Sequence, residues 1–474
     1  MAYEIREART SPTVDSQFAV CTTCLVECHF QIMAHIAPFR ALRYDPARVD
    51  LSDVVTQPYD KITPEMQERY YAASPHNLVR IILGKREQGD GAGENPYTRA
   101  AAYFRDWRRQ GIFLQEAEPS IYSYVQHFPV PGGSKELERK GFIALGQLED
   151  YSDNVVFRHE QTLAKPKADR LDLLRATRAH FGQLFMLYSD PAGEIDGLLT
   201  AASAPEIDVR DEYGVRHRVS KFSDPSLVDS VRSKMRDQKL MIADGHHRYE
   251  TALNYRNERR STADTAPPTS RLALSSQVFP YEMVMMTFIN MDSPGLLILP
   301  THRVVHGLAA FSAEELRRRA NRYFSVEEVD PSVDAVRVSG ILREAGHAGV
   351  SLVAVTADRV FLMDTPKTAG SNFFSGLSIR QQSLDVVQLH KCLLEGVLGI
   401  SEEAIRNQQN ISYVRDAGDA MTRVRSGGAN VAFLMNPVRM RQVRDIAFAG
   451  EVLPQKSTDF YPKLLSGLTI YALE

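Results

Sequence analysis

The stretch that most constrains the fold spans residues 239–256 and reads KLMIADGHHRYETALNYR. Its apolar run Leu240–Ala243 predicts a buried strand, Asp244 and Gly245 predict a tight turn, and the residues from Tyr249 onward predict a helix. A buried strand that leads directly into a helix fits a mixed α/β fold, which is the fold class that we expect for the chain.

The same turn carries groups that suit an anion. A helix N-terminus presents unpaired N–H groups and a partial positive charge, so it favours phosphate, and Gly245 allows the anion to approach closely. Arg248 can hold phosphate oxygens with its planar fork. His246 or His247 can donate to the same anion or move a proton near neutral pH. We expect Asp244 to cap the helix, to orient a histidine, or to meet the phosphate through a bridging Mg²⁺.

Two other interpretations of this turn stay open. The two histidines could bind a metal, although their adjacent spacing differs from the i, i+4 spacing that places two ligands on one helix face. Alternatively, the turn is a structural corner in which Asp244 caps the helix and Arg248 forms a surface ion pair. That account leaves the exposed His-His-Arg sequence without a reason.

Polar clusters elsewhere in the chain suit anion binding or proton transfer. We expect Glu160 of FRHEQT to act as the base for a substrate hydroxyl. The residues predicted to bind phosphate also include Arg158, His159, Thr251, and the basic pair His302 and Arg303 of PTHR. The residues predicted to bind the substrate are Tyr59, Asn77, Arg80, Lys456, Ser457, Thr458 and Lys463.

Charge and hydropathy exclude two classes of partner. The 474 residues carry 56 basic and 59 acidic side chains, a net charge of −3, with no long Lys/Arg run, so no nucleic acid partner is expected. The most apolar stretch, MVMMTFINM at 283–291, is too short for a bilayer and predicts a buried strand. Four cysteines do not suggest a disulfide scaffold, so we expect a cytoplasmic protein. The sequence assigns no oligomeric state.

Periodicity predicts further elements. NLVRIIL (77–83) is expected to be a strand, and TRAAAYFRDWRRQG (98–111) an amphipathic helix that stops at Gly111. Two strands flanking PGGS predict a hairpin, as does GVSLVAVTADRVFLM (349–363).

The polar segment NERRSTADTAPPTS (257–270) is the best internal boundary, since it holds two consecutive prolines. We therefore divide the chain into regions 33–262 and 263–474. Residues 1–32 are expected to be an upstream extension. A metal site is the alternative for that segment, built from Cys21, Cys24, Cys28 and His29.

Ordered motifs give the chain a family resemblance. ADGHHRYETAL resembles the signature of the DUF1015 family, and its core DGHHR resembles the motif of the ParB/sulfiredoxin-like superfamily. The resemblance to the DUF1015 family covers nearly all of the chain after residue 32. The other motifs that carry it are IAPFRALRYDP, QPYDKI, NLVRIILG, FRHEQTLAKPKADRL, LPTHRVV and LPQKSTDFYPKLLSGL. Lys61 and Gln57 depart from the family pattern PPYDVI, which has valine and proline there. The resemblance implies a ParB/sulfiredoxin-like core with large insertions, followed by a C-terminal α/β region.

The resemblance also implies a function. Sulfiredoxins carry a catalytic cysteine where this chain has His246, so thiol chemistry is excluded at that position. Partition proteins of the superfamily bind CTP but carry DNA-binding helices that this sequence lacks. Free serine kinases use the motif to hold a nucleotide's phosphates and transfer one to serine. Their base is a carboxylate from the N-terminal part of the fold, so the resemblance implies Asp60 of QPYDKI, ahead of Asp45 and Asp53, as the alternative base to Glu160.

We therefore expect a nucleotide-dependent phosphotransferase acting on a small hydroxylated metabolite, with free L-serine as the best guess. Its cofactor would be Mg²⁺ with ATP, ADP or CTP. We expect no metal site built from protein ligands alone, and Asp244 is the one side chain expected as a possible ligand of the Mg²⁺ that the nucleotide brings. The alternatives are a phosphatase or nucleotide hydrolase, for instance on phosphoserine, and a non-catalytic nucleotide sensor.

Overall fold

A computed structural model describes residues 34–160, 164–201, 205–264, 279–367 and 372–474, and their main feature is two large β-sheets covered by helices. The mixed α/β class is therefore confirmed. The predictions for residues 1–32, including the metal site at Cys21, Cys24, Cys28 and His29, lie outside the described residues.

The first part of the chain supplies the strands of the larger sheet. Its elements are β1 (Ile36–Ala37), β2 (Leu42–Tyr44), α1 (Leu51–Val54), α2 (Pro64–Ala73), α3 (Val79–Ile82), α4 (Pro96–Arg109), β3 (Phe113–Gln115), β4 (Ile121–Pro129), β5 (Glu136–Gln147), β6 (Val156–Phe157), α5 (Ala164–Thr177), β7 (Ala179–His180), β8 (Leu184–Tyr188), α6 (Glu194–Leu198), β9 (Ile207–Arg210), β10 (Arg216–Phe222), α7 (Pro225–Met235), β11 (Leu240–Asp244), α8 (His246–Asp264) and β12 (Met283–Asn290). Short 3₁₀ turns lie at Tyr59–Lys61, Tyr151–Asp153, Leu199–Ala201 and Pro280–Glu282.

The second part of the chain supplies the smaller sheet. Its elements are β13 (Leu297–Leu299), β14 (His302–Val305), α9 (Ala313–Ala320), β15 (Ser325–Val329), α10 (Ala335–Ala345), β16 (Ser351–Val355), β17 (Val360–Asp364), a 3₁₀ turn (Asn372–Phe374), α11 (Ile379–Gln382), α12 (Asp385–Gln388), a π-helix (Leu389–Val397), α13 (Glu402–Arg406), β18 (Ile411–Val414), α14 (Ala417–Arg425), β19 (Val431–Met435), α15 (Met440–Ala447), β20 (Asp459–Tyr461) and β21 (Tyr471–Ala472).

The larger sheet sets the geometry of the site. Its strand order is β6-β11-β8-β12-β5-β4-β10-β9, with β1 paired to β5. Strands β6 and β11 run parallel, with Leu240 opposite Val156, and so do β8 and β12, whereas the other neighbours are antiparallel. Because parallel strands end at the same edge of a sheet, the residues that follow Phe157 and those that follow β11 meet there.

Both faces of the larger sheet are buried. Along β5, Phe142 and Ala144 join one apolar cluster, while Ile143 and Leu145 join another on the opposite face. This alternation follows from the two-residue period of a strand. The second cluster continues into the smaller sheet, for example at Phe433.

The smaller sheet is antiparallel throughout and has the order β15-β17-β16-β19-β14-β18. One of its faces packs with the larger sheet's core through residues such as Leu352. Its other face forms a separate cluster that includes Val353 and Leu434, with Leu342 of α10 and Val424 of α14.

Most local predictions are confirmed. The helix over 98–111 is α4, which ends at Arg109, and the two predicted hairpins are β4-β5 and β16-β17. The apolar stretch at 283–291 forms β12, whose eight residues are all buried. None of the described helices combines the length and apolar character needed to cross a membrane.

The prediction of a strand at 77–83 is wrong, because α3 occupies Val79–Ile82. Asn77 explains the difference: its Oδ1 accepts from the N–H of Val79 over 2.9 Å, and its Nδ2 donates to the carbonyl of Asp53 over 2.6 Å. A side chain that captures the backbone N–H two residues on starts a helical turn, and a short apolar run is compatible with either structure. Similarly, α8 extends to Asp264 and so takes up much of the polar segment predicted as an irregular crossing.

Candidate functional site

The turn between β11 and α8 is built around a glycine that no other residue could replace without strain. Gly245 has φ +96°, in the left-handed region that favours glycine. A Cβ at this position would lie 2.9 Å from Cδ2 of Leu184 and 3.0 Å from Nη2 of Arg248. Tyr249 makes the first helical hydrogen bond, to the carbonyl of Gly245, so the N–H groups before it lack an intrahelical acceptor.

A recess of about 460 Å³, open solvent included, lies at this helix N-terminus. We call it the phosphate recess, after the anion that the sequence predicts at this turn. It is lined by residues from four separate segments: Tyr59, Asp60, Glu160, Asp244, Gly245, His246, His247, Arg248 and Lys456. Every one of these residues is among the predicted site residues.

Backbone pairing brings the distant segments to the recess. Glu160 follows β6 and forms a parallel bridge with Leu453, whose N–H donates to the carbonyl of His159 over 2.8 Å. This bridge carries the chain forward to Lys456, whose N–H donates to Oε1 of Glu160 over 3.0 Å. The C-terminal segment is thus fixed beside the end of β6.

The carboxylate of Asp244 is shared between two cations. Its Oδ2 accepts from Nη2 of Arg248 over 3.0 Å, and its Oδ1 lies 3.3 Å from Nζ of Lys463. The Lys463 ammonium also lies 3.1 Å from Asp459. Burial disfavours the charged form of Asp244, but Lys463 and Arg248 outweigh it and hold its pKa below the ordinary value.

Arg248 is held in place by two acceptors. Besides Asp244, its Nη1 donates to the carbonyl of Gln183 over 2.6 Å. Asp244 therefore orients the arginine, a role that differs from the three expected from the sequence. Since both of its oxygens face cations, Asp244 is a poor ligand for a further metal ion.

The adjacent histidines have different surroundings. His246 is 9% exposed and its Nε2 has no hydrogen-bond partner among the described residues, although it lines the recess. Burial, followed by the nearby His159, lowers the pKa of His246 well below its ordinary value, so its imidazole is neutral. His247 is half-buried, and burial lowers its pKa as well.

His159 supports His246 from behind the recess. The two rings meet edge to face with centroids 4.8 Å apart. Nδ1 of His159 donates to the carbonyl of Ile242 over 2.8 Å, so its Nε2 accepts from the hydroxyl of Thr458 over 2.7 Å. Burial lowers the pKa of His159 to about 4.

Two carboxylates from separate segments of the chain, Asp60 and Glu160, line the recess. Burial raises the pKa of Glu160, whereas Asp60 is exposed on the 3₁₀ turn Tyr59–Lys61. Tyr59 beside it lies under the guanidinium of Arg170, 4.1 Å from the ring centroid, and burial raises its pKa to about 12.

Several predicted residues lie near the recess without lining it. Thr251 belongs to a neighbouring cavity, and Ser457 donates from its hydroxyl to the carbonyl of Pro454 over 2.5 Å. Arg158 is exposed, with Nη1 3.6 Å from Oε1 of Glu250.

Other predicted residues are committed to structure elsewhere. Asn77 begins α3, and Arg80 donates to the carbonyl of Tyr71 over 2.8 Å. In the smaller sheet, Nδ1 of His302 accepts from the N–H of Met435 over 3.3 Å. Arg303 is fully buried and donates to the carbonyls of Thr301 and Gln455.

The sequence interpretation missed groups that act on the recess from outside it. Asp459 contacts Lys463, and Lys61 lies 3.9 Å from the same Asp459 oxygen. A local signal existed for both, because Asp459 sits between predicted residues in QKSTDFYPK and Lys61 departs from the family pattern. Nothing local marks Gln183, whose carbonyl fixes Arg248.

Metal-ligating side chains do not cluster in the described parts of the chain, where no group of three or more His, Cys, Asp or Glu could hold an ion. The alternative of a histidine metal site therefore finds no support there. Any divalent ion at the recess would need ligands from a bound molecule.

Comparisons with known proteins give one family and several distant structures. Three similar structures are a conserved hypothetical protein from Pyrococcus furiosus (12% identity, 69% of this chain, 94% of that chain, TM-score 0.34), free serine kinase in complex with AMP (12%, 69%, 91%, 0.35) and C-terminally truncated SbnI from Staphylococcus aureus (11%, 70%, 87%, 0.33). No curated protein sequence matches the chain. The family model described as "Protein of unknown function (DUF1015)" matches residues 36–387. The chain therefore belongs to the DUF1015 family.

Proposed function

We propose that the chain is a nucleotide-dependent phosphotransferase acting on a small hydroxylated metabolite, with free L-serine as the first substrate to test. One observation carries the proposal: the phosphate recess sets the N-terminus of α8 and Arg248 beside two carboxylates, Asp60 and Glu160. The first pair suits the phosphates of a donor, and the second suits removal of a proton from an acceptor hydroxyl. Serine itself rests on the resemblance of DGHHR to the motif of free serine kinases.

The phosphate-binding half of the recess is already preorganised. The first turn of α8 lines the recess, so the unpaired N–H groups and partial positive charge of the helix N-terminus lie beside it. A guanidinium has five N–H groups, and the bonds of Arg248 to Gln183 and Asp244 leave donors for phosphate oxygens. Nε2 of His246, buried without a partner among the described residues, offers a further hydrogen bond. Such fixed donors need little reorganisation when charge develops on a transferring phosphoryl group.

Glu160 is the better base of the two carboxylates. Its burial raises its pKa toward the range in which a general base works well near neutral pH. The bond from the N–H of Lys456 to Oε1 holds the carboxylate in one orientation. Asp60 is exposed at the recess, where its carboxyl group suits binding of a cation that accompanies the nucleotide.

The residues present fit a Mg²⁺ that arrives with the nucleotide. Magnesium is commonly bound through substrate phosphates and only one or two carboxylates, and Asp60 supplies one such carboxylate at the recess. When bound, the ion would neutralise charge on the phosphates.

Turnover tests the proposal directly. The purified full chain is incubated with Mg²⁺, serine and one of ATP, ADP, CTP or pyrophosphate, and phosphoserine and orthophosphate are measured by mass spectrometry and a phosphate assay. Arg248→Gln should abolish product, while Arg105→Gln, which replaces an exposed arginine of α4 outside the recess, should not. Phosphoserine supports the proposal. Orthophosphate without phosphoserine would make the chain a hydrolase, and nucleotide binding without any turnover would make it a sensor.

A further inference from the structure

A second cavity adjoins the phosphate recess. It measures about 620 Å³, open solvent included, and we call it the side pocket. Tyr59 and Arg248 belong to the walls of both cavities. The two cavities are therefore neighbours, with Tyr59 and Arg248 at their common border.

The walls of the side pocket are mainly apolar and aromatic. They include Leu173 and Leu174 of α5, Ala179 of β7, Phe181 and Leu184. The ring of Phe181 is itself fixed edge to face on Phe104, with centroids 5.1 Å apart. A cavity with such apolar walls favours an uncharged group.

The charges on these walls are already neutralised. Arg170 bonds the carboxylate of Asp169 with Nε over 2.9 Å, and Arg248 bonds Asp244 over 3.0 Å. An amino-acid zwitterion would thus lose its hydration in the pocket without gaining an unpaired counter-charge. The side pocket does not suit the acceptor that we propose for the recess.

His180 supplies polar recognition within the apolar walls. Its ring lies nearly parallel to that of Tyr471, at 9° and with centroids 6.1 Å apart. Among the described residues, none forms a hydrogen bond with a ring nitrogen of His180. Burial lowers its pKa to about 4, so near neutral pH the imidazole offers one donor and one acceptor. Hydroxyls of Thr251 and Ser466 lie on the same walls.

We propose that the side pocket binds the nucleobase of the nucleotide whose phosphates occupy the recess. The inference rests on the proposed function and adds to it the direction in which the nucleotide lies. The sugar would pass between Tyr59 and Arg248, and the base would lie against Phe181 with its edge toward His180. Bases stack on aromatic rings and hydrogen-bond at their edges, which matches these walls.

Ligands with and without a base separate this inference from the proposed function. The affinities of the full chain for Mg-ADP and for Mg-pyrophosphate are measured by calorimetry, together with those of Ala179→Leu, which narrows the side pocket. ADP affinity should fall about tenfold or more, as expected for losing one stacked base, while pyrophosphate affinity stays unchanged. His180→Leu, which removes only the polar edge, should weaken ADP in the same direction. His306→Leu, a histidine of neither cavity, is the matched control.

Each other outcome is decisive. If wild type binds neither ligand, the proposed function fails and the inference fails with it. If wild type binds ADP and both pocket variants bind it equally well, the base lies elsewhere and only the inference is overturned. An equal loss of ADP and pyrophosphate affinity in folded variants would also overturn it, because the pocket would then serve the phosphates. Thermal unfolding of each variant identifies those that are folded.

Discussion

Arg248 and Asp244 form an ion pair across one helical turn, with Nη2 of the arginine 3.0 Å from Oδ2 of the aspartate, at the N-terminus that bears the phosphate recess. Lys463, from the C-terminal segment, lies against the other oxygen of the same carboxylate. The orientation of the arginine is thus tied to a lysine more than 200 positions away in sequence. This arrangement holds the guanidinium donors of Arg248 in a fixed orientation at the recess.

The buried pair of Lys463 and Asp244 should make a measurable contribution to stability. Removing one partner leaves a charge with less compensation, so Lys463→Met should cost about 3 kcal/mol in unfolding free energy. In a double-mutant cycle with Asp244→Asn, measured by urea unfolding at pH 7, the coupling energy should be about 1–3 kcal/mol. Lys140→Met, which removes a surface pair with Glu138, should cost less than about 1 kcal/mol. A coupling energy near zero would contradict the network.

Gly245→Ala should damage binding as well as stability. The added Cβ would meet Leu184 and Arg248, and a left-handed backbone strains any L side chain, at a cost of about 1–3 kcal/mol. Because Arg248 must move, nucleotide affinity measured by calorimetry should fall about tenfold. Gly214→Ala is the control, since Gly214 also has a positive φ, +77°, but no atom lies within 4 Å of an added Cβ. That variant should lose stability alone. Equal affinities in the two variants would refute the account of the turn.

Glu160→Gln should identify the base. Phosphoserine formation should fall about 10²–10⁴-fold, with nucleotide affinity nearly unchanged, because the amide cannot accept the proton. In wild type, kcat/KM should rise with pH as Glu160 ionises, at a pH above the ordinary carboxyl pKa because burial raises the pKa of Glu160. In Glu160→Gln, this rise of kcat/KM with pH should be absent. Glu149→Gln is the matched control and should keep phosphoserine formation, since burial also raises the pKa of Glu149 but that residue lies outside the recess. A larger loss in Asp60→Asn than in Glu160→Gln would assign the base to Asp60.

Stability should fall as pH drops from about 6.5 to 4. Burial lowers the pKa of His159, His180 and His302 to about 4 each. A histidine held neutral in the folded state contributes its full stability above its ordinary pKa, about 6.5, and loses it as the unfolded chain takes up a proton. Each of the three should add up to about 1.4 kcal/mol per pH unit to the slope of unfolding free energy. His302→Gln should reduce that slope, whereas His35→Gln, at an exposed position, should not.

An element of the fold could be predicted when its sequence signal lies within one short stretch of the chain. The hairpins β4-β5 and β16-β17 were predictable because alternation and turn residues lie within one short stretch. The helix α3 was not, because its apolar run suits either structure. The Asn77 side chain that starts the helix is held by donating to the carbonyl of Asp53, which lies outside that run. The order of strands in the larger sheet involves pairings between distant segments, such as β8 with β12, and no local pattern encodes them.

The candidate site likewise has one part that local sequence predicts and another part that depends on contacts between distant segments. Local sequence was enough to predict the strand, the glycine turn and the helix N-terminus with its His-His-Arg array, because these follow from neighbours along one segment. The packing of distant segments was needed to bring Glu160 and Lys456 to that array and to fix Arg248 with Lys463 and Gln183. It also decided that Asn77, Arg80, His302 and Arg303 serve other contacts. The physical reason is that hydrogen bonds and ion pairs depend on distance in space, and the parallel ends of β6 and β11 set those distances.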